Sequence, residues 1–327
     1  MEKIADFWRN KVIFITGANG FLGSHLVKRA LFLKARVIVL IKKDIVYSLF
    51  KIDGLDKKSK IYRGDLSDSL LVKSIFKNNK IDVCFHLAAQ AFVGVANNSP
   101  LSTFKANIEG TWNVLEAARV FGVKAMVVAS SDMAYGEQKK LPCKEGASLT
   151  ALHPYDASKS CADILSRTYA HTYKLPIAVT RCTNIYGPGD FNFSRIIPDA
   201  CRSAARGRNL IIRGNGASLR DYTFVEDIVD AYFILAENLL RKNINYGEAF
   251  NFGTGKPISV IELVKTILKI SGKPGLLPRI LSKAKSKWEI DKLYLSSAKA
   301  RKFLKWYPKY SLKKGLEITY KWYKGHL

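Results

Sequence analysis

Apolar residues in the first half of the chain fall into short, nearly unbroken runs. Between the runs they recur only every third or fourth position. Val12–Thr16 (VIFIT), Arg36–Ile41 (RVIVLI), 81–86 (IDVCFH) and 125–130 (AMVVAS) are rich in β-branched residues and read as strands buried on both faces. Lys60–Arg63 (KIYR) is weaker and stands third of five in chain order. Segments 21–33, 67–78 and 100–121 carry helical spacing, and a further helix over about Pro154–Tyr173 leads to a strand at 177–181. This alternation predicts right-handed βαβ crossovers and an α/β domain with a doubly wound parallel sheet.

The pattern loosens after Arg181. Gly187, Pro188 and Gly189 break the chain, and 206–216 (RGRNLIIRGNG) reads as turn, short strand and loop. Segment 258–270 is helix-like, 273–278 (KPGLLP) is a loop, and 297–322 is helical in pieces. A second nucleotide fold is excluded; a smaller lobe over the carboxyl ends of the strands is expected, where doubly wound sheets bind ligands.

Composition narrows the class. The 327 residues are 48% hydrophobic and 24% charged, which excludes wholesale disorder. No apolar run reaches the ~18 residues of a membrane span, and residues 1–10 lack a signal-peptide core. The five cysteines contain no C-x-x-C pair, so a cytoplasmic setting is expected. His25, His86, His153, His171 and His326 show no ligand spacing, and no metal is expected. The charge is unusual: 53 Lys+Arg against 27 Asp+Glu, a formal +26, with 17 Lys+Arg and three acids in 265–327. Such a surface could attract nucleic acid, anionic lipid or phosphorylated small molecules. Most of those lysines lie outside any candidate motif and read as solvated faces, so nucleic acid is not an expected partner.

Candidate chemistry begins after the first strand. TGANGFLGSHL spaces Gly17, Gly20 and Gly23 as a strand-to-helix turn that brings backbone close to a pyrophosphate on the helix N-terminus. The second strand ends Leu40-Ile41-Lys42-Lys43-Asp44. Lysines arriving first suit the 2′-phosphate of NADP, whereas Asp44 would suit the ribose of NAD; the reading leans to NADP. In RGDLSD, Asp65 and Leu66 could meet the adenine, or the segment could simply cap a helix with Ser67 or Asp68. Tyr155 and Lys159 stand four apart just inside a helix, on one face and ~6 Å apart along its axis. A nearby ammonium favours the phenolate of a tyrosine that otherwise titrates near ~10. Ser131, directly after the fifth strand, supplies a hydroxyl to orient a substrate alcohol.

With these residues in βαβ order, the chain resembles the extended short-chain dehydrogenase/reductase family, in particular its NAD(P)-dependent nucleotide-sugar epimerases and dehydratases. The motifs run almost the whole length: TGANGFLG, HLAAQ, NIEGTWNVLEAAR, SSDMAYGE, PYDASK, TRCTNIYGPGD, RDYTFVEDIVDA and FNFGTGKPIS. CDP-glucose and GDP-mannose 4,6-dehydratases look most similar. The resemblance implies a Rossmann-type dinucleotide-binding domain over 1–182, with a return segment at 221–252, and a substrate-binding lobe over 183–327. It places Asn19, Phe21, Leu22, Leu87, Ala88, Ala89 and Asn107 at the cofactor beside the glycines, Lys42, Asp65, Leu66, Tyr155 and Lys159. A nucleotide-diphosphate hexose would meet Gln90, Ser131, Asn184, Arg195, Arg213 and Arg220. Family members commonly dimerise through helices matching 100–121 and 154–173, so a homodimer is expected.

The implied chemistry takes the sugar 4-hydroxyl proton onto Tyr155 while hydride leaves C4; Lys159 and Ser131 assist. Dehydratases then eliminate water across C5 and C6 with an acid–base pair directly after the catalytic serine or threonine. Asp132 fits the acid. Met133 departs from the pattern, because a thioether neither accepts nor donates a useful proton. A 4,6-dehydratase is the leading expectation and a 4-epimerase, which needs no C5 base, the alternative. A non-catalytic RNA- or nucleotide-binding protein on the same scaffold is disfavoured by the intact Ser131, Tyr155 and Lys159.

Overall fold

The β-branched runs do form strands. The computed structural model describes residues 6–212, 214–281 and 290–327. Its central sheet contains β1 (Val12–Thr16), β2 (Arg36–Ile41), β3 (Lys60–Arg63), β4 (Val83–His86), β5 (Ala125–Ala129), β6 (Ile177–Cys182) and β7 (Glu248–Phe252). The spatial order is β3-β2-β1-β4-β5-β6-β7, and every pairing is parallel. Chain order reverses between β1 and β4, and the crevice at their carboxyl ends is where such sheets take ligands.

Longer helices cover both faces: α1 (Phe21–Phe32), α2 (Ser69–Asn78), α3 (Gly110–Val120), α4 (Pro154–Tyr173), α5 (Ile196–Ala205), α6 (Val225–Leu240), α7 (Val260–Ile270), α8 (Ala298–Leu304) and α9 (Leu312–His326). On one face α1, α6 and α8 bury Trp8, Phe85, Phe233, Phe250 and Trp306 against the sheet. On the other, α2 and α3 bury Phe14, Ile75, Phe76, Val114 and Leu115. Each large apolar side chain so buried contributes roughly 1.5–3 kcal/mol before chain entropy is counted. A separate core of α5, α7 and α9 closes on Tyr186 and Phe224. Its short strands cross the carboxyl side of the sheet: Asn184–Tyr186 pairs with Tyr222–Phe224, and Leu219–Arg220 with Ile258–Ser259 and Lys292–Leu293.

The segment 100–121 is not one regular helix. It runs Pro100–Phe104, then a π turn Lys105–Glu109, then α3. The wide turn leaves the helical periodicity visible in sequence but swings Asn107 into the interior, where it is buried. The aromatic tail packs as expected at Trp306 and Tyr323, while Tyr307 is exposed.

Candidate active site

The glycine-rich turn joins β1 to α1. Gly17 holds φ +70°, and a Cβ there would lie 2.8 Å from the Ala88 amide nitrogen. A Cβ on Gly23 would fall 2.0 Å from the Gly17 carbonyl oxygen, so the third glycine lets α1 sit on the turn. Gly20 caps α1 with no side-chain hydrogen bond and no acid in the first turn. Those first-turn amides suit an anion, and the residues therefore fit a dinucleotide pyrophosphate. Phe21 opens α1 edge-on to His25, and Leu22 packs on the core. Asn19 donates to the Lys43 carbonyl (2.8 Å), tying the turn to the end of β2.

At that end Lys42 pairs with Asp65 (2.5 Å) and Asp44 with Arg63 (2.8 Å). Asp68 caps α2 through the Leu71 amide (2.9 Å). Leu66 is buried, and its carbonyl accepts from Asn113 (2.9 Å).

A buried polar chain fixes the loop after β4. Thr16 Oγ1 contacts His86 Nδ1 (2.8 Å) and accepts from the Leu87 and Ala88 amides (both 3.1 Å). His86 Nε2 meets Thr111 (3.0 Å), and burial pushes its imidazole down to about 3, so it is neutral. Asn107 accepts from the Gln90 amide (2.6 Å) and donates to Ser158 (2.8 Å), linking the Ala88–Ala89–Gln90 stretch to α4. Gln90 uses its side-chain oxygen on the Phe92 amide (2.9 Å).

The reactive groups meet where β5 ends and α4 begins. Ser131 donates to Asp132 Oδ1 (3.1 Å) and accepts the Met133 amide (3.2 Å), and its hydroxyl acts on the Tyr155 phenol in the direction of the phenolate. Burial pushes the Tyr155 phenol up to about 12; Arg195 opposes this, and the carboxyls of Asp132 and Asp156 add to it. Lys159 donates to the Ala129 carbonyl (2.8 Å), and burial lowers its ammonium to about 8.

From the other side, Arg195 caps α5 and pairs with Asp190 (2.9 Å), whose carbonyl accepts from Tyr323 on α9. Arg220 spends its guanidinium on the carbonyls of Leu219 (2.9 Å), Ile290 (2.5 Å) and Asp291 (3.2 Å). Its charge still reaches Asp132. Asn184 is exposed and donates to the Asp221 carbonyl (3.3 Å). Arg213 lies outside the described residues. The structure thus gathers Ser131, Asp132, Tyr155, Lys159 and Arg195 in one crevice. It adds two residues that the motifs did not single out, Asp156 and Asp190. Asp190 ends the quoted TRCTNIYGPGD, but only the fold puts it behind Arg195. Cys143 is buried, its thiol pushed up to about 11 by burial, which argues against a nucleophile.

A parallel sheet reversing at a glycine-rich turn, with serine, tyrosine and lysine at its carboxyl edge, defines an enzyme of the short-chain dehydrogenase type. The chain belongs to the GDP-mannose 4,6 dehydratase family, whose model it matches over residues 14–319. It is 33% identical over 286 residues to the dTDP-D-glucose 4,6-dehydratase of Dictyostelium discoideum, covering 83% of this chain and 64% of that relative's length. The UDP-glucose 4-epimerase of Thermotoga maritima, solved with UDP-glucose, superposes with TM-score 0.87 at 30% identity, covering 96% of this chain and 99% of that one. A dTDP-glucose 4,6-dehydratase from Streptomyces venezuelae, solved with NAD bound, superposes with TM-score 0.85 at 27% identity, covering 96% of this chain and 97% of that one.

Proposed function

We propose that this enzyme is an NAD(P)-dependent nucleotide-sugar 4,6-dehydratase. The observation that carries the reading is Asp132: a buried carboxyl bonded to the Ser131 hydroxyl in the crevice that holds Tyr155, where an acid is needed once C4 is a ketone. Residues 1–182 with 221–252 would hold the dinucleotide, and the rest of 183–327 the sugar nucleotide.

Held on the Gly17–Gly23 turn, a nicotinamide dinucleotide would supply the site with a hydride acceptor and donor. The chain's own residues do the remainder. Tyr155 takes the 4-hydroxyl proton, and Ser131 orients that oxygen. Burial and the neighbouring carboxyls disfavour the phenolate and Arg195 opposes them; the Lys159 ammonium one turn along α4 would add further compensating charge. Asp132 gives a proton to the departing C6 oxygen. Arg195, set by Asp190, faces the phosphates beside a cavity of about 250 Å³ lined by Phe193, Ser194, Ile196 and Ile212. A cavity that mixes apolar side chains with an arginine suits the base and phosphates of a nucleoside diphosphate. Lys42 beside the first strands' crevice supports NADP, although Asp65 already offsets its charge. A reducing cytoplasm fits five free cysteines, and the exposed apolar side chains on α3 and α4 support a homodimer. Among the described residues, no helix is long and apolar enough to cross a membrane.

Incubation with nucleotide hexoses should give a product lighter by one water, and Tyr155→Phe should slow its formation ~10²–10⁴-fold. An unchanged mass with a new NMR spin system would establish the second reading, a 4-epimerase, which Met133 favours because a re-reduced ketone needs no C5 base. Full activity in Tyr155→Phe would overturn both.

A further inference from the structure

Arg181, on β6, is 1% exposed, and the Asp163 carboxylate that it meets on α4 is fully buried. Ile177 and Val179 belong to the core beneath α2 and α3, and alternation along the strand carries Arg181 to the same face at its carboxyl end. A buried ion pair persists only where its geometry is good and its remaining donors are satisfied. Here the guanidinium grips the carboxylate with both prongs, Nε to Oδ2 (2.8 Å) and Nη2 to Oδ1 (2.9 Å). Its Nη1 donates to the Tyr135 hydroxyl (2.9 Å) and to the Glu145 carbonyl (3.0 Å). The guanidinium carbon also stands 4.9 Å from the centroid of the Tyr135 ring.

Tyr135 matters because of what precedes it. Ser131 caps the short turn Asp132–Tyr135, which is closed by the Ala134 amide on the Ser131 carbonyl (3.2 Å) and the Gly136 amide on the Met133 carbonyl (3.0 Å). While accepting from Arg181, the Tyr135 hydroxyl donates to Asn251 Oδ1 on β7 (2.7 Å). Burial pushes that phenol up to about 12, so it works as a neutral hydroxyl. Asn251 is fixed in turn: its side chain donates to the Cys143 carbonyl (3.0 Å) and its amide to Glu145 Oε1 (2.9 Å). On α4, Asp163 lies one turn beyond Lys159 and two beyond Tyr155. The Ser160 hydroxyl adds a direct tie from that helix to the Ala134 carbonyl (3.0 Å). One guanidinium therefore joins the turn that presents Ser131 and Asp132 to the helix that presents Tyr155 and Lys159.

We propose that Arg181, acting through Tyr135, is a positioning residue that sets Ser131 against Tyr155 for hydride transfer at C4. The inference rests on Ser131 and Tyr155 being the reacting pair, and it holds for elimination and epimerisation alike. A lysine could neutralise Asp163 but could not span Asp163 and Tyr135 at once, which is why the fork of an arginine is required.

Tyr135→Phe keeps the ring and removes the hydroxyl that Arg181 and Asn251 share. In hydrogen exchange, the amides of Met133, Ala134 and Gly136 should exchange at least ~10-fold faster, while those of α7 keep wild-type protection. In single turnovers with nucleotide hexoses, cofactor reduction should slow ~10–10²-fold with the dinucleotide Kd within ~2-fold, since a misplaced group costs rate rather than affinity. In a Ser131→Ala background the same change should slow reduction by less than ~3-fold, because the group that it positions is gone. A merely structural role would instead multiply the two losses. Arg181→Lys should repeat the pattern. Should Tyr135→Phe not fold, Thr150→Val takes its place with the same pattern at smaller size, because it removes an exposed hydroxyl from the Tyr135 carbonyl (2.8 Å). Wild-type exchange in the turn, a wild-type reduction rate, or multiplied losses overturn the proposal. If the wild type reduces no cofactor with any nucleotide hexose, the reading of the reaction fails instead, and exchange still decides whether the Tyr135 hydroxyl holds the turn.

Discussion

Asp132 and Asp156 tie the chemistry of the site to its stability. Both carboxyls titrate higher in the folded chain than in an unfolded one, near 6 and 7 against 3.8. Between those values the native state holds more protons than the unfolded state, so stability falls as pH rises through about 4 to 7. Above that window the cost of ionising the pair is fully present, on the order of 2–4 kcal/mol for Asp156. Asp156→Asn should therefore melt at least ~2 °C higher than the wild type at pH 8, with the difference gone near pH 4. A lower melting temperature at both pH values would show that the carboxylate is a net stabiliser. At this scale the chain was partly readable. Tyr155 and Lys159 announce themselves because helical spacing alone puts them on one face, and Ser131 because it ends a strand. Asp156 does not, since an acid in a first helical turn ordinarily just complements the helix dipole. Only tertiary packing reveals that its Oδ1 has no partner.

The strand-turn-helix element β1–α1 separates two roles that glycine plays. Gly17 has a positive φ, and its added Cβ would strike the Ala88 backbone, whereas Gly20 has φ −79° and would meet only the Gly17 carbonyl at 3.2 Å. Gly17→Ala should cost roughly 1–3 kcal/mol of stability from the backbone conformation alone. Gly20→Ala should leave the melting temperature within ~2 °C yet weaken dinucleotide binding at least ~10-fold if the turn takes the pyrophosphate as proposed, because the added methyl would stand in its approach. Calorimetric titration of both variants with NAD and NADP checks this; tighter wild-type binding of NADP supports the Lys42 reading, and tighter NAD reverses it. Unweakened binding in Gly20→Ala would remove the turn from the cofactor site. The strands of this half were legible because β-branched runs five or six residues long have few other uses. The π turn at Lys105–Glu109 was not, because one wide turn inside an amphipathic segment preserves its apolar stripe. Strand β7, EAFNF, is short and begins with an acid, so its place beside β6 depends on the sheet edge that β6 leaves open.

For the whole molecule, the charge and the apolar surface pull in opposite directions. Lys265, Lys269, Lys302, Lys305, Lys313, Lys314, Lys321 and Lys324 are all exposed, as a solvated basic face requires. Leu101, Trp112 and Ile164 are 70%, 44% and 53% exposed on the segment Pro100–Phe104, α3 and α4. Removing that surface from water favours association of two copies at about 25 cal/mol per Å², while +26 on each copy opposes it. Salt shortens the reach of the repulsion from ~30 Å at 0.01 M to ~10 Å at 0.1 M and leaves the apolar term in place. Dimerisation should accordingly tighten as salt rises over that range, the reverse of a complex held by opposite charges. Light scattering should find dimers at 0.15 M salt and monomers for the double variant Trp112→Glu, Ile164→Asp, with the active crevice still folded by circular dichroism. A wild type that remains monomeric at micromolar concentration and 0.15 M salt would assign that apolar face to something other than a second copy.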